Sequence, residues 1–207
     1  SFGGIAAALH LAQAGKRVVL VEPRTYLGRE ITATLRPWLT APDAAPALIK
    51  FALQAAEQDG TLNLDVLKIH LEDTLLQAGV RLLYASRAVG LQLIGNALQG
   101  LVIGNKSGGQ VIQCDLLLDM SETALIARLL GEQFDAAPAG FVPCRRTLEY
   151  DNVRGDVPFG QIITIEGCAL HFHPGYRGAG HVLVECELTL PFGGDSAFDL
   201  TQRETQA

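Results

Sequence analysis

The first 22 residues constrain the fold more than any other part of the chain. Gly3 and Gly4 open an alanine-rich stretch that stops at Gly15, and the apolar run 18–21 that follows ends in Glu22. This is the order of a βαβ unit that binds a dinucleotide. The glycines allow close packing, the helix N-terminus faces the pyrophosphate, and an acid about 20 residues on accepts hydrogen bonds from the ribose. Glu22 follows Gly4 by 18 residues, which fits that spacing.

The spacing also shows which residues would occupy the glycine positions of the dinucleotide-binding motif. If Gly4 is its third glycine, Ser1 stands at the second, and the first glycine and its strand precede the chain. We therefore expect a fold that is truncated at this end, with Ser1, Gly3 and Gly4 near the pyrophosphate and Glu22 at the adenosine ribose. The alternative is an ordinary αβ unit in which Glu22 only ends a strand.

Composition narrows the class of protein. The chain of 207 residues is 48% hydrophobic and 18% charged, which predicts a sizeable ordered core. Its net charge of −6, with 16 dispersed lysines and arginines, argues against a nucleic-acid partner. No apolar run reaches the roughly 18 residues of a membrane span, and the cysteines lack the spacing of a zinc site. The expected partner is a small-molecule substrate, no metal is predicted, and the oligomeric state and compartment stay open.

Periodicity predicts the elements that follow Glu22. Residues 47–58 are expected to be helical, and leucines spaced three and four residues apart from Leu64 to Leu75 predict a helix that ends at Gly79. Residues 116–119 are interpreted as a buried strand, and Ser121 is expected to cap a helix over 122–130.

Between these helices lies a short all-β stretch. Strand-like runs at 87–94, 97–104 and 110–114, separated by turn residues, predict a three-stranded β-meander. This stretch is too compact for another βαβ unit.

From Phe134 the pattern changes to β-type alternation. The apolar positions of the longest predicted strand share one face: Val182, Val184, Cys186, Leu188 and Leu190. We therefore divide the chain into a nucleotide-binding domain over 1–135 and the start of a β-rich substrate domain over 136–207.

Over residues 1–131 the sequence resembles the amino-terminal part of the FAD-dependent oxidoreductase family, of the glutathione-reductase type. The likeness is carried by Gly3-Gly4-Ile5-Ala6-Ala7-Ala8, Val18-Val19-Leu20-Val21-Glu22, Leu67 to Val80 with Arg81-Leu82-Leu83-Tyr84, Val89, Gly100-Leu101-Val102-Ile103-Gly104-Asn105-Lys106-Ser107-Gly108 and Leu116-Leu117-Leu118-Asp119. The resemblance implies an α/β fold. This fold is a Rossmann-like FAD-binding domain with a three-stranded β-meander, plus part of a β-rich substrate domain, truncated at both ends.

The resemblance implies FAD as the cofactor and assigns further residues to it. Gly28 and Arg29 would approach the phosphate or the flavin, and the backbone near Val89 would meet the adenine edge. Two positions depart from the family's pattern: Ser1 stands where the second glycine is expected, and Glu122 replaces the glycine of an Ala-Thr-Gly-like turn.

The densest polar cluster lies between residues 171 and 181. Strands that end near His173 and start near His181 would bring His171, His173 and Arg177 together. If this β region lies over the flavin, a histidine takes a substrate proton while Arg177 binds a substrate anion. Two other interpretations are solvated hairpin histidines and a metal site. The metal site is disfavoured because no carboxylate lies at ligand spacing.

These patterns favour an FAD-dependent oxidoreductase that, as the intact parent protein, transfers a hydride between a small-molecule substrate and the flavin. An NAD-binding dehydrogenase is the alternative of the same class, because Glu22 would suit either adenosine ribose. The β-meander favours FAD, since a simple NAD domain would continue through further βα units. A degenerate, non-catalytic Rossmann fragment that serves as an interaction module is the alternative of a different class.

Overall fold

The computed structural model describes residues 1–38, 47–58, 61–95, 97–135 and 139–193. The chain divides into two compact units. Unit 1 comprises Ser1–Ala33 and Pro37–Gln133, and unit 2 comprises Thr34–Arg36 and the chain from Phe134 onward. The predicted domain boundary falls beside residues 136–138, which lie outside the described ranges. None of the helices in those ranges is long and apolar enough to cross a membrane.

Unit 1 is a mixed α/β structure with short strands. In chain order its elements are α1 (Phe2–Gln13), β1 (Val19–Val21), α2 (Arg29–Thr32), α3 (Ala47–Ala56), β2 (Glu57–Gln58), β3 (Thr61–Leu62), α4 (Leu64–Gln77), β4 (Arg81–Leu83), β5 (Arg87–Ile94), β6 (Ala97–Asn105), β7 (Gly108–Gln113) and α5 (Leu125–Leu129).

Helix α1 begins where Ser1 supplies a cap. The Ser1 Oγ accepts a hydrogen bond from the Gly4 N–H at 3.1 Å, which satisfies one of the donors that a helix N-terminus leaves open. The inner face of the helix buries Ile5, Ala8 and Leu9. Beyond the helix, Gly15 has a φ of +73°, a left-handed conformation that a Cβ disfavours. The predicted helix and its glycine stop are confirmed.

Strands β1 and β4 form a parallel pair, with Val19 opposite Arg81 and Val21 opposite Leu83. Parallel neighbours require a crossover, and α4 leads back into β4. The Asn63 Oδ1 caps α4 by accepting from two backbone N–H groups, and the buried face of the helix carries Leu64, Leu67, Leu71 and Leu75. The structure therefore confirms the helix that the leucine spacing predicts.

The β-meander is also confirmed. Strands β5, β6 and β7 form an antiparallel sheet in that order. The central strand β6 supplies its core, with Ile103 at 0% and Leu101 at 6% exposure. The register between β5 and β6 shifts between Ala88 and Gly90, so Val89 lies in a bulge.

Two elements predicted after the meander differ from the structure. Residues 116–119 form no strand, and Leu116 and Leu118 are exposed. A strand needs a hydrogen-bonded neighbour, and within the described residues the parallel sheet consists of β1 and β4. Helix α5 begins at Leu125 rather than at 122, because Ala124 takes a left-handed φ of +49°. Ala124, not Ser121, is therefore the N-cap, although the Ser121 Oγ accepts a hydrogen bond from the Leu125 N–H at 2.8 Å.

Unit 2 is a four-stranded antiparallel sheet in the order β8-β11-β10-β9. Its strands are β8 (Gly140–Tyr150), β9 (Ile162–Ile165), β10 (Cys168–Pro174) and β11 (Val182–Phe192). Flanked on both sides, β11 holds the most buried side chains, such as Val182 and Leu183. The register sets His171 opposite Glu185 and His173 opposite Leu183, so both histidines share the face that the hairpin pattern predicts.

Candidate functional site

The N-terminus of α1 binds a carboxylate of its own chain. The Phe2 N–H donates to the Glu30 Oε1 at 2.9 Å, next to the hydrogen bond between Gly4 and Ser1. Open N–H donors and the positive end of the helix dipole favour an anion at such a position. Sequence reasoning did not single out Glu30, because 28 residues separate it from its partner.

The two glycines of α1 allow a close approach by the segment before α5. A Cβ on Gly4 would lie 3.3 Å from the Met120 Cβ, and a Cβ on Gly3 would lie 3.7 Å from the Met120 Sδ. The first distance is tighter than ordinary van der Waals contact. The glycines therefore allow the Met120 side chain to pack against this end of the helix, and their predicted place near a pyrophosphate stays a prediction.

Gly28 is required by both conformation and space. Its φ of +72° lies in the left-handed region, and a Cβ there would meet the Leu71 Cδ1 at 2.7 Å and the Phe2 Cζ at 3.3 Å. This turn starts α2 beside the end of α1 and sets the position of Arg29.

Arg29 and Glu122, the residue that replaces a family glycine, form an ion pair. The Arg29 Nε is buried and has no hydrogen-bond partner in the described part of the chain. We call the α1 N-terminus with Arg29, Glu30, Met120 and Glu122 the helix-end cluster. In this cluster the Glu30 carboxylate accepts from the helix N-terminus and the Glu122 carboxylate pairs with the Arg29 guanidinium. These are the two groups that would bind an anion.

Glu22 lies at the carboxyl end of β1. Its side chain is buried, with 6% exposure, and its Oε1 accepts from the Arg24 N–H at 3.0 Å. Its backbone N–H donates to the Leu83 O at 2.9 Å and its carbonyl accepts from the Ser86 N–H at 3.2 Å. Backbone contacts thus hold this carboxylate at the edge of the parallel sheet, where Rossmann folds bind ribose.

Val89 lies in the β5 bulge and is exposed. A bulged residue is left out of the strand ladder, so its backbone groups face a ligand more readily than those of its neighbours. That the backbone near Val89 meets an adenine edge stays a prediction.

One face of the unit 2 sheet carries a network of ion pairs. The buried Glu185 carboxylate lies 3.1 Å from the Arg36 Nη2, 3.6 Å from the Arg145 Nε and 3.9 Å from the His173 Nε2. The Arg145 Nε also contacts the Glu187 Oε2 at 2.5 Å, and that hydrogen bond lowers the pKa of Glu187. We call this set the charged face. Its members are Arg36, Arg145, His171, His173, Glu185 and Glu187.

Burial lowers the pKa of His173 below its ordinary value of 6.5, although the nearby Glu185 acts in the opposite direction. The imidazole is therefore neutral at neutral pH. A neutral imidazole can accept a proton from a bound molecule.

Arg177 belongs to a different cluster. It lies 3.4 Å from the Glu149 Oε1 and 4.0 Å from the Asp151 Oδ2, with its guanidinium over the Tyr176 ring. The same Glu149 oxygen is 2.9 Å from the His181 Nε2. The sequence predicts that Arg177 groups with His171 and His173, whereas its observed ionic partners are these carboxylates.

His181 is buried rather than solvated. Its Nδ1 accepts from the Arg177 N–H at 3.0 Å, so the ring proton lies on Nε2 and points at Glu149. Both nitrogens are used, which fits a role in holding the loop. In the described ranges no group of three or more His, Cys, Asp or Glu is arranged to hold a metal ion.

Together, α1, the buried acid after β1 and the β-meander define a dinucleotide-binding α/β protein. The model of a protein family, FAD-dependent oxidoreductase, matches residues 1–139. The chain belongs to the FAD-dependent oxidoreductase family, and the cofactor is FAD. The predicted recognition, fold class and cofactor are thus confirmed, and neither the NAD-binding nor the degenerate alternative gains support.

Several solved structures share this fold. CabE, an aromatic hydroxylase from angucycline biosynthesis, has a TM-score of 0.66 at 14% identity over 95% of this chain and 44% of its own. Aklavinone-11 hydroxylase in complex with FAD and aklavinone has 0.56 at 15% identity, over 99% and 47%. A geranylgeranyl bacteriochlorophyll reductase-like protein from Thermoplasma acidophilum has 0.58 at 14% identity, over 91% and 54%. The chain thus spans about half the length of these proteins. No curated protein matches it.

The residues of the helix-end cluster fit FAD. The α1 N-terminus already binds an anion in the form of the Glu30 carboxylate, and the buried Arg29 Nε lacks the acceptor that a phosphate oxygen would supply. Gly3 and Gly4 lack side chains, and Met120 packs against them at this end of the helix. A diphosphate at this place would accept from the Phe2 N–H, which Glu30 now accepts from, and from the Arg29 Nε, which has no acceptor in the described part of the chain.

Proposed function

We propose that the intact protein uses FAD to transfer a hydride between a small-molecule substrate and the flavin. When bound, FAD supplies the redox chemistry, and the chain supplies binding, orientation and proton handling. The observation that carries this proposal is the helix-end cluster, an anion-binding helix end with a buried, unsatisfied arginine donor, in a chain of this family. We assign residues 1–135 to FAD binding and 136–207 to the substrate domain.

In this proposal the cofactor contacts are divided along the chain. The Glu22 carboxylate accepts from the adenosine ribose, and the backbone of Val89 meets the adenine. The α1 N-terminus, with Ser1, Gly3 and Gly4, binds the pyrophosphate. Gly28, which has no side chain, allows the turn before Arg29 to lie close to this site. The buried Glu22 side chain and the Val89 bulge support these assignments.

Arg29 has a separate role in the proposal. Its guanidinium exchanges Glu122 for a phosphate oxygen, and Glu30 leaves the Phe2 N–H at the same time. An arginine–phosphate contact is charge-assisted and directional, so it offsets the loss of the internal ion pair. The phosphates of the cofactor thus replace the Glu30 and Glu122 carboxylates, and the Arg29 guanidinium stays paired with an anion throughout.

On the substrate side, we propose that the charged face contacts the substrate. His173, kept neutral by burial, accepts the substrate proton, and His171 lies next to it on the same strand face. Arg177 stays a proposed anion-binding residue, which exchanges Glu149 and Asp151 for an anionic group of the substrate.

The test is anaerobic reduction of the purified holoprotein by small molecules, followed by the visible absorbance of the flavin. We expect at least one small molecule to bleach this absorbance in a single turnover, with one hydride taken up per flavin. The proposal would be contradicted by a holoprotein whose flavin a chemical reductant can bleach, but whose oxidised flavin no organic substrate reduces and whose reduced flavin no organic substrate oxidises.

A further inference from the structure

Three of the four cysteines lie on one face of the unit 2 sheet. Cys144 is opposite Leu188, and Cys186 is opposite Leu170, two residues along from Cys168. Directly opposed residues and residues two apart share a face, so Cys144, Cys168 and Cys186 point to the same side. We call these three the thiol face. It lies opposite the charged face, because Cys186 alternates with Glu185 and Glu187.

Cys186 is the centre of this group. In the register it is the diagonal neighbour of Cys168 on one side and of Cys144 on the other. The Cys168 thiol is also close enough to Cys186 to interact with it electrostatically. None of the three is in a disulfide, and all three are partly exposed, so small oxidants in solvent can reach them.

We propose that Cys168 and Cys186 form a reversible dithiol–disulfide site that a hydroperoxide oxidises. The Cys168 sulfur attacks the peroxide oxygen, the O–O bond breaks, and a sulfenic acid and an alcohol (water, if the oxidant is hydrogen peroxide) are formed. The Cys186 sulfur then attacks the Cys168 sulfur, the S–S bond forms, and the hydroxyl leaves as water with the Cys186 proton. The two thiols lose two electrons and two protons in total, and the peroxide gains them.

The proposed order of attack follows from the surroundings of Cys186. Burial and the neighbouring Cys168 raise the pKa of Cys186. Less of Cys186 is therefore in the thiolate form that attacks peroxides. We therefore assign Cys186 as the resolving thiol, and the trapping of a sulfenic acid described below tests this order.

Diagonal neighbours on an antiparallel pair have Cα atoms about 7–8 Å apart. Relaxed disulfides hold their Cα atoms about 4.4–6.8 Å apart. Closing the bond therefore requires a small slide of β10 along β11, and strained disulfides are the more easily reduced ones. The site is thus expected to act as a reversible modification rather than as a permanent cross-link.

The test is mild hydrogen peroxide treatment of the purified protein, followed by blocking of free thiols and mass spectrometry of the peptides. We expect two of the four thiols to be lost, a linked peptide pair that contains Cys168 and Cys186, and full recovery with dithiothreitol. Cys114→Ser and Cys144→Ser are the matched controls and are expected to keep this bond. In Cys186→Ser, dimedone is expected to trap a sulfenic acid at Cys168.

Several results would overturn the proposal: four alkylatable thiols after treatment, a bond from Cys144 to Cys186 in equal amount, or irreversible oxidation without a linked pair. Circular dichroism of each variant keeps the test independent of misfolding. If Cys168→Ser does not fold, Cys168→Ala serves in its place. A dimedone adduct at Cys186 in that variant, formed as fast as the wild-type disulfide, would contradict the assigned order.

Discussion

Replacing Glu22 by glutamine tests the cofactor site with the least disturbance to the fold. The glutamine Oε1 can still accept from the Arg24 N–H, the contact that Glu22 makes at 3.0 Å, so only the charge is lost. A hydrogen bond to a charged group contributes about 1.5–3 kcal/mol, and a neutral one contributes about 0.5–1.5. The difference, about 1–1.5 kcal/mol, raises the Kd for FAD about five- to tenfold.

The substitution Glu22→Ala removes both the charge and the acceptor. We expect it to raise the Kd about ten- to a hundredfold, because a whole charge-assisted bond of about 1.5–3 kcal/mol is lost. The assay is titration of the apo-protein with FAD, followed by flavin fluorescence, with a thermal melt of each variant to show that the fold is intact.

Glu30→Gln is the matched control, since it removes a carboxylate of the same site with the opposite expected sign. An anion at a helix N-terminus is worth about 0.3–1 kcal/mol, so loss of this internal competitor tightens FAD binding about two- to fivefold. An unchanged Kd in both Glu22 variants would show that Glu22 only ends a strand, and would refute the reasoning.

Three further predictions concern single residues. Gly28→Ala should lower the unfolding free energy by about 1–3 kcal/mol in denaturant melts, more than Gly15→Ala, whose Cβ meets nothing within 4 Å at a similar φ; equal losses would contradict the packing argument. His181→Ala should destabilise unit 2 by about 1–3 kcal/mol, because Glu149 loses a buried partner, whereas the exposed His10→Ala should change little. His173→Gln should slow flavin reduction at normal FAD content. Because the pKa of His173 is lowered, the wild-type rate should fall only below about pH 6.5, and a fall at higher pH would exclude this base.

The sequence predicts best what depends on neighbours along the chain. The spacing from Leu64 to Leu75 specifies α4, and turn residues between alternating runs specify the β-meander, because both signals are local. The strand predicted at 116–119 is wrong for the opposite reason: apolar residues favour a strand, but a strand also needs a neighbour that the pattern does not contain.

The functional contacts that sequence reasoning missed join residues far apart in the chain. Glu30 binds the Phe2 N–H from 28 residues away, and Glu149 holds His181 across 32 residues. A single carboxylate on a helix or strand has no periodicity that marks its partner. The ion pair of Arg29 with Glu122 is a similar case, since the sequence identifies both positions but not that their charges offset each other.

The most direct measurement of the central claim is the identity of the cofactor that the intact protein carries. The protein is purified without added nucleotide and denatured, and the released cofactor is separated by chromatography and quantified against the protein. The account predicts FAD, approaching one molecule per chain, with less in Glu22→Ala. Recovery of NAD, or of no nucleotide from well-folded protein that also fails to bind added FAD, would contradict it.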